Sequence, residues 1–282
     1  MSTFGELSET LSWEVKEKAI TIDGAVVPSH KALLRNDNGL LLNICSKDYQ
    51  VCTNEYLKDI TNRLCGLTSF TLEGYEEWNG GKVVMAFLKN TAKLPRIGDW
   101  DVQDYMIVGN GHNYSLPTFL GTSSVMIRCT NQFSQIHKMM RVPHFKNQTQ
   151  KIETMIRYIS DYVNYRNEMF KNIEKFIPVP VDYTYRVQFE NQLLGIESIN
   201  GIAQVEVSPR KQLVKSQLDE SIEHEFNELG ENLFGLWNGL TFFSTHIKKT
   251  KNPTFGNVFG PLAEVNEKGY KLIQKRYAEV TR

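Results

Sequence analysis

Residues 104–133, DYMIVGNGHNYSLPTFLGTSSVMIRCTNQF, carry two apolar runs with β-strand character on either side of Asn110-Gly111. An Asn-Gly pair between two such runs is a strong hairpin signal, because a type I′ turn needs positive φ at both central residues. The run SSVMIRC then reads as a further strand. We therefore predict consecutive antiparallel strands in this part of the chain.

Two further elements are predicted before this stretch. Residues 70–90, FTLEGYEEWNGGKVVMAFLKN, again place turn residues between two strand-like runs and predict a hairpin. Residues 54–66, NEYLKDITNRLCG, predict a helix with Asn54 as its N-cap and Gly66 as its end. Its apolar residues Leu57, Ile60 and Leu64 fall on one face.

After residue 130 the apolar residues recur with the helical period. Thr130 and Asn131 are candidate N-caps for a helix over QFSQIHKMM, residues 132–140. A long apolar stripe then predicts a helix of roughly seven turns that ends at Pro178 and Pro180. Its members are Ile152, Met155, Ile156, Ile159, Val163, Phe170 and Ile173. Further helices are expected over about 211–229, over LFGLWNGLTFFSTHI (residues 233–247), and over about 262–278.

These elements predict an α+β protein, with an early antiparallel sheet built from β-hairpins, a packed helix, and a mostly helical C-terminal half. The corresponding division is an N-terminal segment over 1–29, a hairpin-rich core over 30–145 and a mostly helical region over 146–282 packed on the core. One compact domain overall is compatible with this division.

Composition excludes several classes of protein. The 282 residues balance 32 Lys and Arg against 32 Asp and Glu, so nucleic acid or a membrane surface would have to be bound by a local basic patch. The N-terminus lacks a secretory signal pattern and no apolar run reaches 18 residues, from which we expect a cytoplasmic protein without a membrane partner. Cys45, Cys52, Cys65 and Cys129 form no C-x-x-C pair and are expected to be reduced packing residues.

Catalytic constellations are weak in this sequence. Cys129 and His112 do not fit a catalytic nucleophile and its base. Cys129 ends a predicted strand, where thiols are usually buried, whereas His112 lies beside a predicted turn. The sequence HEFNE at 224–228 lacks the second histidine of a zinc protease, and no P-loop pattern occurs. Asp99, Asp101 and Asp104 could serve a metal-dependent nuclease, but an acidic loop explains them more simply. We predict no catalytic residue, no metal and no cofactor.

Basic residues offer a more specific signal. Between Ser134 and Lys175 the chain has eight Lys or Arg against four acids, with aromatic residues interleaved. The aromatic residues are Phe145, Tyr158, Tyr162, Tyr165 and Phe170. Cations and stacking faces together suit single-stranded nucleic acid, because phosphates take the charge and any base can stack on a ring. A solvated helix face with inward-turned aromatic residues would give the same pattern.

Four sequence blocks together resemble the DUF932 family of phage- and plasmid-encoded proteins. They are HKALLRNDNGLLLNICSKDYQVCTNEYL, GNGHNYSLP, VMIRCTNQF and NLFGLWNGLTFFSTH, in that order over about residues 30–250. The resemblance implies an origin in a mobile element. The family has no agreed catalytic residues to carry over to this chain.

The predicted element order is similar, at the level of fold, to the core of the Rad52, RecT and Erf single-strand annealing proteins. A strand leads to a helix, then to hairpins and a long helix. This likeness implies a phage or plasmid protein of DNA metabolism that binds single-stranded DNA and promotes annealing and recombination as a homo-oligomer, without ATP hydrolysis. The expected DNA-binding residues are Arg128, Lys138, Arg141 and Lys146, with Lys248, Lys249 and Lys251 as a second patch.

The alternative prediction is a protein-binding module that acts on a host factor, for example in counter-defence. Such a module needs an exposed apolar or aromatic patch and no salt-dependent affinity for DNA.

Overall fold

The computed structural model of the chain describes residues 7–92, 96–126, 132–199, 202–203, 207–248 and 261–281. Side chains are described for all of these except 125–126, 132–139, 162, 198–199 and 202–203. The chain divides into two compact units. Unit 1 comprises residues 1–94, 104–122 and 138–164, and unit 2 comprises residues 95–103, 123–137 and 165–282. The chain therefore passes between the units five times, at 94/95, 103/104, 122/123, 137/138 and 164/165.

Unit 1 begins with a three-stranded antiparallel sheet. Its strands are β1 (Val15–Ile22), β2 (Ala25–Arg35) and β3 (Leu41–Ser46), in the order β1-β2-β3. Asp23 and Gly24 join β1 to β2 with φ values of 49° and 82°, the positive pair that a type I′ turn requires. This hairpin was not predicted from the sequence, and the division drawn at residue 29 falls inside β2.

The helix predicted over 54–66 is confirmed as α1 (Asn54–Leu67), with Leu57, Ile60 and Leu64 buried. Its N-cap is Thr53 and not Asn54, since the Thr53 hydroxyl accepts a hydrogen bond from the amide of Tyr56 at 3.1 Å. The Asn54 side chain is buried and donates to a carbonyl oxygen outside the helix. Gly66 lies inside the last turn and does not end the helix.

A larger antiparallel sheet follows. Its strands are β4 (Phe70–Trp78), β5 (Val83–Asn90), β6 (Arg96–Ile97), β7 (Trp100–Gly111), β8 (Thr118–Met126) and β9 (Gln132–Val142). The strand order is β4-β5-β7-β8-β9, and β6 pairs with the start of β7. The hairpin predicted over 70–90 is confirmed as β4 and β5, and β7 and β8 are neighbours as the sequence indicates.

Two predictions within this sheet are wrong. Asn110 and Gly111 belong to strand β7, where they pair with Val84 and Val83, and residues 112–117 make the connection instead. A Cβ on Gly111 would lie 2.6 Å from the Leu116 carbonyl oxygen, so glycine is needed for close approach and not for a turn. Residues 132–140 form strand and not helix, because pairing within a sheet overrides local propensity. The proposed caps Thr130 and Asn131 lie outside the described residues.

The rest of the chain is mainly helical. The helices are α2 (Gln148–Arg157), α3 (Ile159–Glu174), α4 (Tyr183–Leu194), α5 (Pro209–Leu229), α6 (Leu233–Phe242) and α7 (Pro261–Val280). A π-helical turn, Phe243–Ile247, continues α6, and β10 (Ser198–Ile199) pairs with β11 (Ile202–Ala203). The single long helix expected over 152–173 is divided into α2 and α3 at Tyr158. The predicted α+β class is confirmed.

Each unit has its own apolar core. In unit 1, Leu33, Cys45 and Cys52 pack with residues of α1, β4 and β5. In unit 2, Phe189, Leu236 and Trp237 pack with residues of α3 and α5. The packing role predicted for the thiols is confirmed for Cys45 and Cys52, which are buried, while Cys65 is half-buried and Cys129 lies outside the described residues. In the part of the chain described, no helix combines the length and the apolar character that crossing a membrane requires.

Helices α5 and α6 pack through glycine. A Cβ on Gly239 would lie 2.5 Å from the Cα of Ile222, and one on Gly235 would lie 2.4 Å from the Gly230 carbonyl oxygen. Backbone atoms cannot move aside as a flexible side chain can, so the close approach of α5 and α6 depends on these glycines.

We expect Gly239→Ala to lower the free energy of unfolding by about 1–3 kcal/mol, because the added methyl group forces α5 and α6 apart. Gly66→Ala is the matched control, since nothing lies within 4 Å of a Cβ there and the backbone is already helical. This control should raise stability by roughly 0.5–1 kcal/mol. Urea unfolding measures both, and a Gly239→Ala protein as stable as the parent would contradict the close packing.

Candidate nucleic-acid interface

A chain of hydrogen-bonded side chains runs through the interior of unit 1. His112 is buried between Asn110 and Asn54. Its Nδ1 lies 3.2 Å from the Asn110 amide nitrogen, which must donate, so Nε2 carries the proton and donates to Asn54 Oδ1 at 3.1 Å. Asn54 donates in turn to the Trp13 carbonyl oxygen at 2.9 Å. These contacts hold His112 as a neutral, oriented group.

The chain of hydrogen bonds continues through Asn110 toward the surface. The Thr118 hydroxyl donates to Asn110 Oδ1 at 2.9 Å and accepts from the Gln148 amide nitrogen at 3.1 Å. The same Gln148 nitrogen lies 3.1 Å from Nδ1 of His144, and that Nδ1 lies 3.2 Å from the Gln50 carbonyl oxygen. We call Asn54, Asn110, His112, Thr118, His144 and Gln148 the buried polar chain.

Burial sets the protonation of both histidines. Desolvation lowers the pKa of His112 to about 3, with a smaller contribution from His144. Desolvation also lowers the pKa of His144, although the nearby backbone carbonyl groups oppose that change. Both imidazoles are therefore neutral at physiological pH, and the buried polar chain carries no net charge.

Three rings pack together at the outer end of this chain, one pair edge to face and the other tilted. Tyr49 is buried between Tyr114 and His144, with ring centroids 4.8 and 4.9 Å apart. Its hydroxyl donates to the Gly111 carbonyl oxygen at 3.1 Å, and desolvation raises its pKa above the usual value. The Tyr114 hydroxyl accepts a hydrogen bond from the Ser46 amide at 3.2 Å. The rings are thus fixed by contacts from three separate segments of the chain.

Two aromatic side chains of this region face solvent. Tyr114 is 53% exposed and Phe145, directly after His144, is 64% exposed. The Gln50 amide donates to the His144 carbonyl oxygen at 3.1 Å, which ties the turn of Phe145 to the segment that carries Tyr49. We call Tyr49, Tyr114, His144 and Phe145 the aromatic platform. The Tyr114 ring, which packs against the buried Tyr49, can stack on a planar ligand at little cost in conformational entropy.

Three cations lie within three residues of the aromatic platform in sequence. Lys47, Arg141 and Lys146 are exposed, and none of them has an ion-pair partner among the residues that the structure describes. Lys47 follows Ser46, whose amide binds Tyr114, and Lys146 follows Phe145. Directly after Lys47 comes one exposed carboxylate, Asp48. Exposed rings and cations without ion-pair partners together suit a polyanion with planar groups.

The structure describes only some of the residues predicted to bind DNA. Arg141 and Lys146 lie in unit 1, three residues before His144 and one residue after Phe145, and both are exposed. Lys138 is part of β9, but its side chain is outside the described set. Lys248 is half-buried in unit 2, directly after the π-helical turn. Arg128, Lys249 and Lys251 lie outside the described residues.

The aromatic residues of the basic segment divide between surface and core. Phe145 and Tyr158 are exposed, whereas Phe170 is buried in the core of unit 2. Lys47, Tyr49 and Tyr114 were not predicted, because they lie 20 to 87 residues before the start of the basic segment at Ser134. The sequence signal that could have indicated them is the tyrosine Tyr114, which directly follows the Gly-His-Asn stretch.

The described residues do not assemble a catalytic centre of the kinds considered. His112 has both ring nitrogens occupied by asparagine side chains, and burial raises the pKa of the neighbouring Cys52 thiol to about 12. Asp101, one of the three carboxylates considered for a nuclease, pairs with Arg96 at 3.1 Å. No group of three or more His, Cys, Asp or Glu side chains in the described ranges is placed to hold a metal ion.

The neutral His112 predicts a stability that depends on pH. Below pH 6.5 the unfolded chain binds a proton at this residue and the native protein does not, so the free energy of unfolding falls as pH falls, down to about pH 3. Between pH 6.5 and 4.5 this one residue should lower the free energy of unfolding by about 2 kcal/mol.

Urea unfolding across this pH range tests the prediction on the parent and on His112→Gln. We expect the variant to be less stable at pH 7, since a buried hydrogen-bonded group is changed, but to lose about 2 kcal/mol less on acidification. The surface variant His30→Gln is the control for removal of an imidazole. An equal acid loss in the parent and in His112→Gln would contradict a neutral buried histidine.

Comparison of the chain with family models, with curated proteins and with solved structures gave no match.

Proposed function

We propose that the protein binds single-stranded nucleic acid through the aromatic platform and the cations around it. The observation that carries the proposal is the pair of exposed rings, Tyr114 and Phe145, with the exposed cations Lys47, Arg141 and Lys146 close in sequence to platform residues. Stacking is available to any base whose face is free, which favours a single strand over a duplex. Cations without carboxylate partners are available to phosphates.

The balance of charge in the whole chain is compatible with this proposal. A net charge of zero gives no long-range attraction, so affinity must come from the local cations and the rings. Three cations that each contact one phosphate would give a slope of log K against log salt of about −2, at about −0.7 for each contact with a single strand. The expected binding is therefore moderate and sensitive to salt.

We further propose that the protein promotes annealing as a homo-oligomer, as a phage or plasmid recombination protein without ATP hydrolysis. The support is analogy: β3, α1, the antiparallel strands β4 to β9 and the helices α2 and α3 follow one another in the order that resembles the annealing proteins. The resemblance to the DUF932 family is part of the same proposal and supports the mobile-element origin.

A second candidate function is binding to another protein. It is favoured by the outer face of the three-stranded sheet, where Leu41 pairs with Leu34 and Ile44 pairs with Ala32. Leu41 is 45% exposed and Ile44 is 52% exposed, so this face presents apolar area to solvent. Exposed apolar patches are typical of surfaces that contact a partner.

Fluorescence anisotropy of a labelled 40-nucleotide single strand and of the matching duplex, titrated from low to rising salt, separates the two candidates. We expect binding that prefers the single strand and weakens as salt rises. The absence of binding at low salt would remove the nucleic-acid proposal and leave the protein-binding one.

Replacing either exposed ring tests the stacking. We expect Tyr114→Ala and Phe145→Ala each to weaken single-strand binding by roughly tenfold or more, because one stacked base contributes about 1–3 kcal/mol. Tyr183→Ala is the control, since Tyr183 is 76% exposed on unit 2 and has no role in the proposal. Equal affinities for all three variants and the parent would rule out the platform.

Reversing two charges tests the cations. The double variant Arg141→Glu with Lys146→Glu should lose single-strand binding while keeping the unfolding curve of the parent, because both side chains are exposed. Lys171→Glu with Lys175→Glu changes the net charge equally at two exposed positions of unit 2, one in α3 and one directly after it. Similar losses in both double variants would show an effect of net charge and not of a site.

A further inference from the structure

A groove opens beside the β1–β2 hairpin of unit 1. The pairs Ala19↔Lys31 and Thr21↔Val26 leave one residue of β1, Ile20, opposite four residues of β2, 27–30. The longer β2 segment must bulge away from β1, which makes a concave surface at that point. The groove has a volume of about 370 Å³.

The lining of the groove is basic on one part and apolar on another. Lys18, His30 and Lys47 supply cationic or hydrogen-bonding groups, and Val26, Val27 and Pro28 supply an apolar wall. These two kinds of surface match the phosphate and the base of a nucleotide.

One carboxylate also lines the groove. Glu17 accepts a hydrogen bond from Lys31 Nζ at 2.8 Å, so these two charges largely neutralise each other. Lys18 and Lys47 have no ion-pair partner in the described ranges, and they remain the cations open to an anion. Glu17 therefore limits the positive charge of the groove without removing it.

Lys47 connects the groove to the aromatic platform. Its amide donates to the Ser29 carbonyl oxygen at 3.0 Å in the bulged segment, and the preceding residue, Ser46, donates to the Tyr114 hydroxyl at 3.2 Å. The groove and the platform therefore adjoin one another across residues 46 and 47, within the same unit.

We infer that the groove binds one nucleotide of the single strand whose neighbouring bases stack on the aromatic platform. This inference rests on the proposed function. Lys18 and Lys47 bind phosphate oxygens of the strand, and the base lies against Val26, Val27 and Pro28. The volume, near the lower end of the range for ligand pockets, suits one nucleotide and not a base pair. Glu17 weakens the site by neutralising Lys31.

The test measures the salt dependence of oligothymidylate binding by anisotropy, with Glu17→Gln and Lys18→Ala compared with the parent. Glu17→Gln frees Lys31, so binding should tighten and the slope against log salt should steepen by about 0.7. Lys18→Ala should weaken binding and reduce the slope by about 0.7. Lys16→Ala is the matched control, because Lys16 is an exposed lysine on the same strand that does not line the groove.

Three results of these measurements are distinguished. Tighter binding by Glu17→Gln with weaker binding by Lys18→Ala supports the inference, since loss of folding cannot increase affinity. Binding that depends on Tyr114 and Phe145 but is unchanged in both groove variants overturns the inference and leaves the proposed function intact. Absence of strand binding by the parent overturns both.

Thymidine monophosphate, added as a competitor, distinguishes a strand from a free nucleotide as the source of the phosphate. One outcome would assign the groove to free nucleotides and overturn the inference. In that outcome the parent binds the monophosphate tightly, Lys18→Ala loses this binding, and Lys18→Ala still binds the strand as the parent does. Weak competition by the monophosphate supports a subsite of the strand.

Discussion

The hydrogen bonding of buried polar groups is the constraint on which unit 1 depends. Asn54, Asn110 and His112 lose their contacts with water on folding, and each is bonded to another side chain or to a backbone carbonyl group. Removing one partner leaves another buried group unsatisfied, at a cost of about 1–3 kcal/mol. The contacts join the start of α1, the end of β7, the start of β8 and the start of α2, so they fix how four segments meet.

The aromatic platform at the surface depends on the same hydrogen bonds. Tyr49 packs on His144, a member of the buried polar chain, and Tyr49 in turn supports the ring of Tyr114. Tyr114 has a φ of 62°, a left-handed conformation that is unfavourable for a residue with a side chain. The surrounding contacts therefore offset a local backbone strain in order to keep this ring at the surface.

Much of the fold was predictable because local patterns determine it. The stripe of α1 and the turn residues at 79–81 depend on neighbours within a few residues, and both predictions are confirmed. Asn110-Gly111 is different, because pairing with Val83 and Val84 extends β7 through a pair that favours a turn locally. The strand at 132–142 likewise depends on pairing within the sheet, which local propensity does not contain.

The candidate site was less predictable than the fold. Arg141 and Lys146 belong to a basic segment that composition shows, and the structure places both at the surface. Lys47 and Tyr114 join them only through the ring contacts of Tyr49 and the backbone bond between Gln50 and His144. Side chains that converge from three distant segments leave no periodic signal in the sequence, so spacing alone could not indicate them.

The five passages of the chain between the two units also constrain how the protein is made. Unit 1 needs residues from before 94, from 104–122 and from 138–164, so its core cannot close until this last segment has left the ribosome. Contacts between residues so far apart in sequence slow folding, because a long loop must be closed before they stabilise the chain. A nascent chain that ends before Gln148 lacks a member of the buried polar chain, so unit 1 cannot yet reach its folded structure. Synthesis and folding of this protein are therefore coupled over most of its length.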